Sequence, residues 1–254
     1  MELTVVTFNM RVDVPADGKN YFFCRAPFIL EKINKEKPDI ICAQETSDAM
    51  RNWLSTALVD YEMIGQGREA NYRGESNPIL YRKDKFTPLS FGQCWLSETP
   101  SIPGTRYKEQ SMCPRICVYA TLLAGDERKP LRIYSTHLDH VSESARLLGM
   151  DRVLDIIEQD SLNTDAPVLL CGDLNAEQNE ACILRANEFS HPKLSDLTAS
   201  IDHSFHDYGR LQRKCKIDYI FSNLPVVGEC MAWTDEWNGI YLSDHYPLSV
   251  KVEL

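Results

Sequence analysis

Short apolar runs rich in β-branched residues recur along this chain, separated by patterns of helical period. This alternation constrains the fold most, because runs of period two and of period 3.6 share a core only when stacked in layers. Residues 2–8 read as a strand, 25–36 as a helix with Phe28, Ile29 and Ile33 on one face, and 39–43 as a buried strand. Asp48, Met50, Trp53, Leu54 and Leu58 place a helix over 47–58. Residues 61–66, 77–82, 86–95, 115–124 and 130–136 then read as successive strands, spaced too closely for crossover helices. A helix over 142–159 carries Leu147, Met150, Val153, Leu154 and Ile157 at helical spacing. A buried strand at 167–171, a helix near 179–189 and strands near 216–222, 226–233 and 247–253 complete the order. Each half pairs a strand ladder with one or two helices. The expected architecture is therefore α/β, with two mixed sheets packed face to face and helices outside. No repeat, low-complexity stretch or linker divides the chain, so 1–254 is expected to be one domain.

Composition narrows the function classes. The chain has 43% apolar and 25% charged residues, ordinary for a globular protein, and a net charge of −10. That balance gives no support to a protein that grips duplex nucleic acid mainly through phosphate contacts. A carboxylate cluster at a metal would itself inflate the acidic count, and the basic residues near 68–85 and 106–115 can form a local positive rim. The nine cysteines are scattered, several of them inside apolar runs such as DIICAQE and VLLCGD, where Cys packs as a small hydrophobe. Cys113 and Cys117 form the only close pair, with no second pair at zinc spacing. The cysteines fit a reducing compartment, and the N-terminus enters a strand at once, so the expectation is a cytoplasmic protein. No apolar run approaches the ~20 residues of a membrane span.

The chemistry-bearing residues stand where strands end. Asn9 follows TVVTF, Glu45 follows IICAQ, and His137 follows RIYST. Asp173 and Asn175 lie in LLCGDLNA, Asp218 in KIDYIF, and Asp244 and His245 in LSDHYP. Each alone has a structural reading, such as Asp173 in a Gly-Asp turn, Asn175 capping a helix, or Asp244 in an Asx turn. Together they ask for more, since carboxylates at the ends of buried strands need their charge compensated. A hard divalent cation supplies that, and oxygen donors suit Mg²⁺ or Mn²⁺ rather than zinc. Two histidines beside the cluster add proton transfer near neutral pH. The set contains what phosphate-ester hydrolysis requires.

The strings TFNMR, AQET, STHLDH, GDLNA, KIDYIF and SDHYP, in this order, resemble the endonuclease/exonuclease/phosphatase superfamily from Asn9 to His245. The resemblance implies a four-layer α/β sandwich and Mg²⁺-dependent attack of water on a phosphodiester or phosphomonoester. It implies that Glu45 is the principal metal ligand, with Asn9 and Asp244 beside the metal. Asp173 would orient or deprotonate the water, Asn175 would hold a phosphate oxygen, and Asp218 would pair with His245. In the deoxyribonuclease branch a glutamate seven residues before an arginine pairs with a second histidine. Glu75 stands in that relation to Arg82, which implies a Glu75–His137 dyad. Abasic-site endonucleases carry a tyrosine in place of His137 and an aspartate in place of Arg11, so this chain points away from DNA repair. GESNPILYR, WLSETP and PGTRY resemble a bacterial subgroup near the deadenylase-like branch.

Further positions carry paired readings. Arg11 lies two residues beyond Asn9, so on an extended chain both face one way; it meets substrate phosphate or forms a surface ion pair. Arg115 opens a strand beside the basic segment and is a second phosphate candidate. His140 braces its loop or meets substrate. His206, ahead of the KIDYIF strand, is expected by resemblance to line the pocket. Trp95 and Trp237 stack on a substrate ring or belong to the core or a lid, while His191 and His203 read as surface residues. The expected partner is a small, nucleotide or short single-stranded phosphate ester. A general nuclease is the alternative, lipid head-group cleavage lacks an exposed aromatic hairpin, and an inactive scaffold conflicts with the complete polar set.

Overall fold

In the computed structural model, which describes residues 1–254, β1 (Glu2–Asn9) passes through a 3-10 segment (Pro15–Asn20) into α1 (Phe22–Glu36). β2 (Ile40–Gln44), α2 (Asp48–Ala57), β3 (Tyr61–Ile64) and β4 (Ile79–Arg82) follow. The chain then crosses the sandwich to β5 (Phe86–Trp95), β6 (Ile116–Ala124), β7 (Lys129–His137), α3 (Glu143–Ser161), β8 (Val168–Asp173) and α4 (Ala181–Glu188). The last elements are β9 (Ser195–Asp196), β10 (Asp218–Ser222), β11 (Met231–Ala232), β12 (Glu236–Trp237), β13 (Ile240–Tyr241) and β14 (Leu248–Glu253).

One sheet has the order β11-β14-β1-β2-β4-β3 and the other β5-β6-β7-β8-β10-β9. Each holds one parallel pair, β1 with β2 and β7 with β8, crossed by α1 and α3; the remaining pairs are antiparallel. The four-layer α/β sandwich is therefore present. Its strands read as near-continuous apolar runs because both faces are covered. In β1, Leu3 and Val5 point between the sheets, where they meet Ile40, Val118, Ile133 and Leu169, while Val6 and Phe8 point outward onto Ile29 and Ile33 of α1. In β8, Leu169 and Cys171 face inward, and Val168 and Leu170 pack on Met150, Val153 and Ile157 of α3. Ser47 and Ser142 cap α2 and α3, accepting from the amides of Met50 and Ala145.

The strands read over 61–136 are divided between the sheets, β3 and β4 in one and β5 to β7 in the other. The strand expected over 226–233 shrinks to Met231–Ala232, with a single bridge from Val226 to Val252, because Gly228 takes a φ of 81° between them. The β12–β13 hairpin turns on Asn238 (φ 53°) and Gly239 (φ 75°). An Asn-Gly pair is the sequence signal for such a turn. No helix is long and apolar enough to cross a membrane.

Candidate active site

Register brings the polar strand ends together. Asn9, last in β1, lies beside Gln44, last in β2, so Glu45 emerges one residue past the sheet. In the second sheet His137 ends β7 beside Asp173 at the end of β8, and Asp218 opens β10 on the other side of Asp173. Asn9 joins the two sheets: its Nδ2 donates to Glu45 Oε1 at 3.0 Å and to Asp173 Oδ2 at 2.9 Å. Glu45 (φ 59°) and Asn175 (φ 49°) both sit in the left-handed region just past their strands. Backbone strain of this kind in non-glycine residues persists where the surroundings over-determine it.

The carboxylates differ in what holds their charge. Burial disfavours the Glu45 anion, but the Val12 amide at 3.0 Å and the Asn9 amide outweigh it and hold the carboxyl below its usual range. Burial and then the neighbouring Asp218 push Asp173 up to about 7. Burial also raises Asp244, whose Oδ1 accepts from Ser243 and whose Oδ2 lies 3.7 Å from Arg11 Nε.

The imidazoles differ likewise. His245 Nδ1 meets Asp218 Oδ2 at 2.8 Å, its Nε2 lies 3.8 Å from Asp173 Oδ2, and Phe205 packs on its ring. Burial opposes the charge of His245, yet Asp218 overrides it and lifts the group to about 10. His137 is held well below its ordinary value by burial and then by Arg115. Its Nε2 accepts from Asn175 Nδ2 at 2.9 Å, so the ring proton is assigned to Nδ1, which has no partner in the protein. Asn175 gives its other amide hydrogen to the Leu138 carbonyl, and its own backbone N–H goes to Asp173 Oδ1.

The donor set fits a hard divalent cation. Glu45, His137 and Asp173 offer atoms within 4.8 Å of one another, as do Asp173, Asp218 and His245. The carboxylates of Glu45, Asp173 and Asp244 line one cleft, Asn9 donates to the first two, and burial disfavours the anions of Asp173 and Asp244.

A cleft of about 360 Å³ is lined by Glu45, His137, Asp173, Asn175, Asp244 and His245, and its remaining wall carries the guanidinium groups of Arg68 and Arg115 with His140 beside them. Arg115 is 4% exposed, and its Nη2 meets His140 Nδ1 at 2.9 Å. His140 lines the cleft and braces Arg115 at once.

Three expectations are corrected. Glu75 does not pair with His137: it accepts from Arg68 Nη2 at 2.7 Å, because the 65–76 loop folds Arg68 against Glu75 through their backbones. Arg11 does not continue an extended chain. Its φ of 54° turns it so that Nε and Nη2 clamp Asp17 at 2.9 and 3.2 Å, although it still lines the cleft. His206 lies outside the cleft lining, fully buried and stacked on Tyr246 at 3.9 Å, and burial drives it down to about 3. Trp95 is core, donating to the Arg68 carbonyl at 2.6 Å, and Trp237 stacks on Phe28. Cys113 and Cys117 are free thiols.

The sequence reading missed Arg25 and singled out Arg68 only as part of a basic rim. Arg25 is fully buried and donates to the carbonyls of Met10, Arg11, Asn20 and Leu242, tying the loop after β1 to the loop before Asp244. Nothing in a helix of ordinary period marks such a residue.

The family model described as Endonuclease/Exonuclease/phosphatase family matches residues 6–245. An endonuclease/exonuclease/phosphatase from Bacteroides vulgatus superposes with a TM-score of 0.91 at 29% identity, covering 100% of this chain and 99% of that one. A mannosyl-6-phosphatase from Bacteroides thetaiotaomicron gives 0.88 at 25% identity, covering 99% and 100%. The human Nocturnin catalytic domain with bound sulfate gives 0.76 at 19% identity, covering 99% and 93%, a likeness of fold alone. No curated protein matches the chain.

Proposed function

Since the chain belongs to the endonuclease/exonuclease/phosphatase family, whose members hydrolyse phosphate esters, we propose that it is a Mg²⁺-dependent hydrolase of a small phosphate ester, with Mn²⁺ as substitute and 1–254 as the catalytic domain. The observation that carries this reading is the meeting at Asp173 of an oxygen-donor cluster and a paired imidazole. Glu45 and Asp244 would hold the cation, with Asn9, whose amide donates to Glu45 and Asp173, orienting the carboxylates beside it; when bound, the cation would polarise the phosphoryl group and offset charge developing on it. A small ester is favoured over duplex nucleic acid by the net charge of −10 and the compact cleft.

The protein's own groups divide the remaining work. Asp173, poised near neutrality, takes the proton of the attacking water. His245 stays charged beside Asp218 and donates from Nε2 to a phosphate oxygen. Asn175, which holds His137 in the free protein, exchanges that bond for phosphate when substrate enters. Arg115 and His140 meet the phosphate from the opposite wall.

Nitrophenol release from mono- and di-nitrophenyl phosphates, with Mg²⁺ and with EDTA, tests the reading. Turnover is expected to need the cation and to fall roughly 10³-fold in Asp173→Asn. No turnover on any ester of a broad panel, or turnover indifferent to EDTA, would sink it.

A further inference from the structure

We propose that the cleft selects phosphomonoester dianions over phosphodiester monoanions, through the guanidinium pair Arg68 and Arg115 backed by His140. The inference rests on the phosphate-ester reading above and names its substrate class.

Arg115 is the centre of the argument. Buried at the mouth of β6, it spends only Nη2, on His140, while Nε and Nη1 have no partner within the protein. The nearest carboxylate, Asp139, is 4.0 Å from Nε and is already committed. Its oxygens take the amides of Ser111, Val141 and Ser142 and the Ser111 hydroxyl. Arg115 therefore lacks a matched anion, an expensive state for a buried guanidinium.

Arg68 is better matched, giving Nη2 to Glu75 with its Nε 3.9 Å from Glu69 Oε1, but that buried Nε makes no hydrogen bond. Its placement is built in. The Arg68 amide donates to the Glu75 carbonyl at 2.9 Å, and its own carbonyl accepts from Trp95. His140 adds a donor, because Nδ1 faces a guanidinium that can only donate, which leaves the ring proton on Nε2.

The two phosphate classes differ in what they offer such a wall. A monoester presents three non-ester oxygens carrying nearly two charges above about pH 6, whereas a diester presents two sharing one charge. With one non-ester oxygen turned to the carboxylate side, a monoester still offers two to the guanidinium wall, in the bidentate geometry that arginine favours. A diester would set an alkoxy group there and leave the buried N–H groups unmatched, which is how a hydrogen-bonding site rejects an analogue lacking the partner atom.

Two probes that are not turned over test this. Calorimetric titration of the full chain at pH 8 with saturating Mg²⁺ is expected to show inorganic phosphate binding at least about tenfold tighter than dimethyl phosphate. Arg115→Gln should cost phosphate affinity about tenfold or more while changing dimethyl phosphate less than about threefold, and Arg68→Gln should do the same to a smaller degree. Arg115→Lys, which keeps the charge but not the fork, should fall between; thermal melts identify any variant that fails to fold, and the loop position of Arg68 keeps the test alive if Arg115 variants do. Equal affinity for the two probes, or parallel loss of both in Arg68→Gln, overturns the inference. A protein that cleaves diesters in preference, with Mg²⁺, also overturns it while upholding the hydrolase reading. One that discriminates the probes but cleaves no ester does the reverse.

Discussion

Each sheet carries one parallel strand pair crossed by a helix, β1–α1–β2 in the first and β7–α3–β8 in the second, and both pairs end in a carboxylate at the same cleft, half-buried in the first and buried in the second. Glu45, beyond β2, accepts from the Val12 amide and the Asn9 side chain, with His245 and Arg11 near it, and is held below its usual range. Asp173, at the end of β8, is the direct register partner of Asp218 and is lifted to about 7. Each carboxylate accepts two N–H groups, and their shifts are opposite because Asp173 is the more deeply buried and also faces the like charge of Asp218. The first arrangement suits a permanent anion that holds a cation, the second a group that gives and takes a proton near neutral pH.

The largest effect should come from breaking that division on the first side. Glu45→Gln keeps the Asn9 contact but removes the charge, so the Mg²⁺ concentration for half-maximal activity should rise more than about 100-fold. Asp173→Asn should instead lower kcat and leave that concentration within about threefold. Equal displacement of the metal midpoint in both variants would mean that the two carboxylates do one job.

A smaller effect is expected on the second side alone. Asp218→Asn leaves His245 without the anion that lifts it to about 10, and kcat should fall about 10²-fold. The stability consequence has a definite sign. A folded value above the ordinary 6.5 means the charged His245 stabilises the fold fully below pH 6.5 and loses that contribution as pH rises through about 10. Melting temperatures in EDTA should therefore decline between pH 6.5 and 10 in the parent protein and decline less in Asp218→Asn. Identical slopes would trace the decline to other groups.

What was legible in the sequence follows the same division between local and non-local causes. Asn9, Glu45, Asp173, Asp218 and His245 each terminate or adjoin a strand, so reading the strands placed them at one end of the sheets. The order of layers was readable for the same reason, since apolar runs covered on both faces have few alternatives. For Arg11 only the extended-chain premise fails: its own left-handed backbone turns it onto Asp17, and two-residue spacing does not survive such a turn. Arg25 was invisible because its partners are four backbone carbonyls, which leave no trace in residue identity. Glu75 was assigned to the wrong partner because its spacing to Arg82 is blind to Arg68, seven residues upstream and folded against it by the loop.

That last correction gives the smallest and sharpest prediction. If Glu75 oriented His137, as Asp218 orients His245, then Glu75→Gln would lower kcat on the scale of Asp218→Asn and move the pH profile. The contact observed is with Arg68, at 2.7 Å, and His137 Nδ1 has no partner in the protein. Glu75 therefore acts on the guanidinium wall and through it on binding. Glu75→Gln keeps an acceptor for Arg68 but withdraws the charge that competes with phosphate for it. KM for a phosphomonoester should change by about tenfold or less, with kcat within about threefold and the pH profile unmoved. A fall in kcat with an altered pH profile would return Glu75 to His137 and make the two imidazoles alike, each with its own carboxylate.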